Sequence, residues 1–440
     1  MTELTRRRVL AGLGAAAVAS LSGCSLLETA DDDPVRFSTA DVEAILSTSI
    51  SEPQRPAPVT PSTAVLDAGL DRCSELIDVV PESISVEQIP NGAVRTEVQQ
   101  LRSDAIDGRD AVSDEPTSFH GLLSLRDARA TAQEAAAAYV AVQNDLVEDV
   151  EAARRQARTA VGTRLAQVGY AGDDRGRTLL VAYRIEQCLL DARNRVNRGF
   201  RIPDPTVLDV GELAGDVEHV TATLDAVDTI TQRHSATVDD PTDFTAQISA
   251  ALETTYRSLS RADLPDADTT AQEVFGQELT RPELQYLFQN ALRGVDRWRD
   301  DLSSALTAGR FASGLDHAIR LERDARALDT VIQRIDDDDV PELASVDPIR
   351  DEREAAIEAA EAIPVSPTEA TLASDVVARS LRQLVWTDRE LELYVQRDTE
   401  SQLQREYARY VYLRAQLEAL PTAIESVRGR IDRWSTAVWA

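Results

Sequence analysis

The stretch FHGLLSLRDARATAQEAAAAYVAVQNDLVEDVEAARRQA, residues 119–157, sets an apolar side chain at steps of three, four and seven: Leu122, Leu125, Ala132, Ala136, Tyr139, Leu146, Val150, Ala153 and Ala157. Those steps return to one face of an α-helix, whereas a half-buried strand needs alternation. Much of the stripe is alanine, so a partner helix can come close, and the spacing predicts a long antiparallel helix pair. Near the C-terminus Leu403, Tyr407, Tyr410, Leu413, Leu417 and Leu420 recur at steps of four and three. They form a second helical stripe, in which the tyrosines read as core residues with hydroxyls near its edge.

Outward from these segments the helical pattern runs from Ser62 nearly to the end. Breaks near Pro81, Pro90, Pro116, Pro203 to Pro205, Pro241, Pro265, Pro341, Pro364 to Pro367 and Pro421 cut it into about ten helices. Strand-like alternation is scarce, and the expected fold class is all-α, a multi-helix bundle. The chain is long for one bundle core, which suits two stacked helical halves, 62–265 and 266–440, divided at RADLPDADTT (261–270). Ahead of them, 38–61 reads as a short helix capped by Ser38, with Asp41 in its first turn, followed by EPQRPAPVTP (52–61). Four prolines in that segment predict an extended, semi-rigid spacer. The polar, acidic 24–37 reads as a flexible tether.

The chain opens with TRRRVLAGLGAAAVASLSGC at residues 5–24, a basic front, a short uncharged middle and a small-residue exit. The uncharged run is shorter than the roughly 20 residues a helix needs to span a bilayer, and the layout is that of an export signal, 1–23. Gly12-Leu13-Gly14 has no strand before it, so it does not fit a dinucleotide-binding loop. Arg6 and Arg7 resemble the twin-arginine signal, which routes proteins through export already folded. Leu21-Ser22-Gly23-Cys24 resembles a lipobox. That resemblance implies that the Cys24 thiol takes up lipid, that Cys24 begins the mature chain, and that the protein sits on the extracytoplasmic face of the cell membrane.

Net charge is −30, and every basic residue other than histidine is arginine; without Glu3, Arg6, Arg7 and Arg8 it is −32. Such a charge repels itself in dilute buffer, but in molar salt the Debye length falls to about 3 Å. A GC-rich genome could replace lysine with arginine, yet it would not by itself make the chain so acidic. Together with its signal, the chain resembles the exported lipoproteins of haloarchaea. Most acidic clusters are then expected to be solvated surface. Arginines interleaved with acids, as in DRWRDD (296–301) and RLERDARALD (320–329), give no clustered basic face, so nucleic acid is not an expected partner.

Chemistry-bearing motifs are sparse. His120, His219, His234 and His317 lack histidine partners at ligand spacing, and Asp216 with His219 makes only half of a metal site. DDDDVPE (336–342) has no EF-hand alternation and reads as a solvated loop, while AGDDRGR (171–177) reads as a helix-to-helix turn. GxSxG is absent, and Ser-x-x-Lys requires a lysine that the chain lacks. Cys73 and Cys188 fit two separate buried thiols better than a disulfide. RWSTAVWA (433–440) reads as a last helix whose indoles dock on the bundle. No catalytic residue, metal ligand or cofactor is assigned. The expected function is a lipid-anchored extracytoplasmic helical binding or scaffold protein of a halophile envelope, held to the membrane through Cys24 and meeting an envelope protein partner. The alternative is a helical ligand- or cation-binding receptor for a transporter or sensor, and a third reading is an envelope enzyme.

Overall fold

Fourteen α-helices build the fold in a computed structural model that describes residues 36–200, 204–260, 264–366, 369–397 and 402–437. Arg6, Arg7, Cys24, nearly all of the tether and the Trp434 and Trp439 side chains lie outside the described residues. α1 (Thr39–Ile45) begins with the expected cap: Ser38 Oγ accepts from the Asp41 amide, and the Asp41 carboxylate accepts from the Ser38 amide. The first half comprises α2 (Thr63–Asp78), α3 (Gly92–Ala111), α4 (Ser118–Ala141), α5 (Val147–Leu165), α6 (Arg175–Asn197) and α7 (Val207–Ala236). The second comprises α8 (Thr245–Ser260), α9 (Ala271–Phe275), α10 (Pro282–Thr307), α11 (Phe311–Asp336), α12 (Asp347–Glu361), α13 (Leu372–Arg397) and α14 (Gln404–Ala437). Breaks without proline, at Asn144–Asp145 and at the left-handed Gly276 and Gly309, make the helices more numerous than prolines alone predict.

The alanine-rich stretch is two helices, α4 and α5, and they are not each other's main partner. α4 packs along α7, whose Gly211 and Gly215 lie one turn apart. A Cβ at Gly211 would sit 2.7 Å from the Glu134 carbonyl oxygen and 2.9 Å from Ala138 Cβ; one at Gly215 would sit 2.9 Å from the Ala130 carbonyl oxygen. Two glycines therefore let the backbones approach where α4 offers Ala130, Glu134 and Ala138. α5 instead covers α6 and α7, with its stripe only half-buried.

The close approach traps Glu134. Burial, reinforced by Glu212, Asp216 and Glu97, pushes its carboxyl up to about 7 from 4.5. The unfolded chain releases this proton first, so the folded state loses stability as pH rises from about 4.5 to about 7. Glu134→Gln should remove that slope. Denaturant melts in molar salt should find the variant equal to wild type at pH 5 and about 1–2 kcal/mol more stable at pH 8, a discounted share of the shift because the site is only half-buried. An equal difference at both pH values would contradict the assignment.

In the second half α14 is the central helix. Leu403, Tyr407, Tyr410, Leu413, Leu417 and Leu420 are all buried, and α8, α10, α11 and α12 pack around them. The Tyr410 hydroxyl is satisfied inside, donating to Asp388 Oδ1 (2.6 Å), whereas that of Tyr407 lies nearer the edge and donates to the carbonyl of exposed Pro341 (3.1 Å). Pro421 does not end the helix; buried Leu417, Leu420, Ala423 and Ile424 hold both sides of it in the core and offset the missing backbone bond.

Four expectations change. α8 packs on α10, α11 and α14, so the chain crosses between halves at 237–244, ahead of the 265/266 division. There a two-residue strand, β1 (Ala171–Gly172), pairs antiparallel with β2 (Thr242–Asp243), so AGDDRGR is partly strand before Asp174 caps α6. Phe37 lies in the core rather than in a tether. The proline segment is not a free spacer: Pro56, Pro58, Val59 and Pro61 are buried, and Arg55 reaches Asp375 across the molecule. Extended backbone leaves carbonyls unpaired, and those of Pro56 and Pro61 accept from Arg184 and Ser118.

Candidate functional site

α6 joins the halves through polar groups as well as apolar ones. Glu186, fully buried, receives the Ala312 and Ser313 amides (3.3 and 2.7 Å) and the Tyr170 hydroxyl. A carboxylate thus occupies the N-terminus of α11, where free N–H groups and the helix dipole favour negative charge. Burial still pushes the Glu186 carboxyl up.

Beside it runs a chain of buried ions. Asp375 on α13 is fully buried and contacts Arg55 (3.0 Å), Arg184 (2.8 Å) and Arg379 (2.9 Å). Arg379 continues to Asp316 (2.5 Å) and to the Tyr183 hydroxyl and ring, and Asp316 also holds Arg320 (3.1 Å). Four guanidiniums thus share two carboxylates. Burial works against ionised Asp316 and Asp375, yet the facing arginines outweigh it and hold both carboxyls below the ordinary range. Burial also lowers Arg184, to about 10, and Arg55 adds to the effect.

The end of this network at Arg379, Asp316 and Arg320 forms part of the wall of an open cleft of about 670 Å³ between α6 of the first half and α10 and α11 of the second. Its lining holds five arginines against three aspartates, in a protein of net charge −30. The Trp298 indole is fixed by a hydrogen bond from Nε1 to Asp324 Oδ2 (2.9 Å) and stacks on His317 with ring centres 5.7 Å apart. The guanidiniums of Arg297 and Arg320 lie 4.9 and 4.6 Å from the indole centre. Burial lowers the His317 pKa, which favours its neutral form, and its Nδ1 has no hydrogen-bond partner.

Sequence reasoning did not single out this cleft. It named Asp216 and His219, which stay within electrostatic reach on α7 but take different partners: His219 Nε2 lies 3.4 Å from Asp127 and from Asp191, while Asp216 faces Arg195 and Arg198. Among the described residues no group of three or more His, Cys, Asp or Glu side chains could hold a metal. Acids expected at the surface are buried, including Asp316, Glu322 and Asp324, whereas the 336–339 acids are exposed. The i,i+4 pairs Asp316–Arg320 and Asp375–Arg379 were the available signal, but that spacing equally describes a solvated helix face. Cys73 and Cys188 are free and buried in separate clusters, and burial pushes the Cys73 thiol up to about 11.

Residues 64–240 match a family model described as "Domain of unknown function (DUF8262)", and residues 242–429 match a second, "Domain of unknown function (DUF8264)". The two matches meet at the β1–β2 crossing, and the cleft lies between them. No curated protein and no solved structure matches the chain.

Proposed function

We propose that the protein is a lipid-anchored helical binding protein on the extracytoplasmic face of a halophile cell envelope, and that it holds a small ligand in the cleft between its halves. The observation that carries the reading is the cleft itself: it is concave, set between two helical units, and lined by an ordered indole, an imidazole whose Nδ1 makes no hydrogen bond and lies 3.9 Å from Asp316, and several guanidiniums. The arginine excess favours the receptor alternative in its ligand-binding form over its cation-binding form. The anchor rests on the Arg6-Arg7 and Leu21-to-Cys24 motifs. Among the described residues no helix is long and apolar enough to cross a membrane.

Two measurements test this. Cys24→Ser should move the protein from the membrane fraction to the medium, and retention in the membrane would sink the lipid assignment. The small-molecule fraction of the native medium, added at constant molar salt, should raise the melting temperature of the wild type but not of Trp298→Ala. An unchanged wild-type melt would sink the binding role.

A further inference from the structure

We propose that the cleft takes a ligand bearing a carboxylate or phosphate group, and that Arg193 on α6 and Arg310 at the start of α11 hold that oxyanion. The inference rests on the binding role and adds the chemistry of the ligand.

Most cationic groups of the cleft are already committed. Arg320 is paired with Asp316, Arg379 with Asp316 and Asp375, and Arg297 lies toward Asp301 at 3.8 Å. Arg193 and Arg310 differ. Both line the cleft, and among the described residues neither has a carboxylate within ion-pair distance. Among the described residues the Arg310 side chain hydrogen-bonds only the Ser304 hydroxyl (3.1 Å), and its Nε is buried without a hydrogen-bond partner. They line one cleft from opposite halves; burial lowers Arg310, and the charge of Arg193 lowers it further, against the opposing charges of Glu186 and Asp301. Two guanidiniums that line one cleft repel, and an anion bound there relieves the repulsion. Two carboxylates, Glu186 and Asp301, act on Arg310 from beyond ion-pair distance, but Glu186 is engaged by Tyr170 and the start of α11, and Asp301 lies toward Arg297.

Molar salt narrows the choice of anion. In brine the Debye length is about 3 Å, so long-range attraction is lost and chloride competes for every exposed cation. A guanidinium fork keeps its advantage only where two oxygens meet it in plane, as in a carboxylate or phosphate. Monatomic chloride cannot do that.

The test is melting of the full-length protein in constant molar sodium chloride, titrated with inorganic phosphate, with succinate or with extra chloride as the control. Phosphate or succinate should raise the melting temperature, and the responding probe identifies the oxyanion class. Arg310→Gln and Arg193→Gln should each weaken the response tenfold or more. Arg193→Gln alters a half-exposed residue away from the buried core and keeps the test interpretable if the Arg310 variant folds poorly. Arg293→Gln, on the exposed side of α10, should leave the response unchanged. A response to neither probe beyond that to chloride, or one that survives both glutamine substitutions, would overturn the inference. If the native small-molecule fraction still protects the protein in that case, only the ligand chemistry is wrong; if it does not, the binding role falls as well.

Discussion

Asp375→Ala should cost about 3–5 kcal/mol of folding stability, the largest loss expected from any single side chain in the protein. The residue is fully buried and touches three guanidiniums from the proline segment, α6 and α13. Its removal leaves those charges desolvated without a counter-ion, and breaking a buried pair costs far more than the intact pair contributes. The loss should persist at molar salt, because buried pairs are poorly screened. Asp339→Ala, which removes an exposed partner of Arg334, should cost less than about 1 kcal/mol. Denaturant titration of the two variants in brine separates the cases, and similar small losses would mean that Asp375 does not clamp the halves. The pH sign follows. Because its folded-state carboxyl titrates below the unfolded value, the stabilisation is complete above the ordinary aspartate range and is lost as pH falls through the lower folded value.

The second large effect concerns Gly211. Helix propensity alone predicts that alanine at an interior glycine gains up to about 1 kcal/mol. At Gly211 the new Cβ would meet the Glu134 carbonyl oxygen at 2.7 Å and Ala138 Cβ at 2.9 Å, so α4 and α7 must separate. The expected net result is a loss of about 1–3 kcal/mol, the usual range for overpacking. Gly162→Ala in α5 is the matched control, since nothing lies within 4 Å of its Cβ and only the propensity gain remains. Opposite signs for the two variants are the prediction. A gain at both would show that the α4–α7 approach is looser than described.

The helical class and the C-terminal core were legible in sequence because period and burial agree there: each residue of the Leu403 to Leu420 stripe is inside. The α4 partner was harder to read. Alanine spacing says that something comes close without saying what, and the complementary signal, Gly211 and Gly215 one turn apart, lies in another helix. The proline segment misled for a different reason. Prolines rule out helix but do not choose between solvent and a buried extended path, and Arg184 and Asp375, far away in sequence, decide that choice. The cleft was not legible at all. A surface pair and a buried pair share one i,i+4 spacing, and the difference lies in the helices that cover them.

Hydrogen–deuterium exchange in molar salt, with and without the small-molecule fraction that raises the melting temperature, tests the central claim most directly. The predicted result is slower exchange in residues 187–194, 297–304 and 310–320, the three walls of the cleft. Unchanged exchange there, with protection confined instead to the apolar groove at Ile357, Val377 and Leu384, would contradict it.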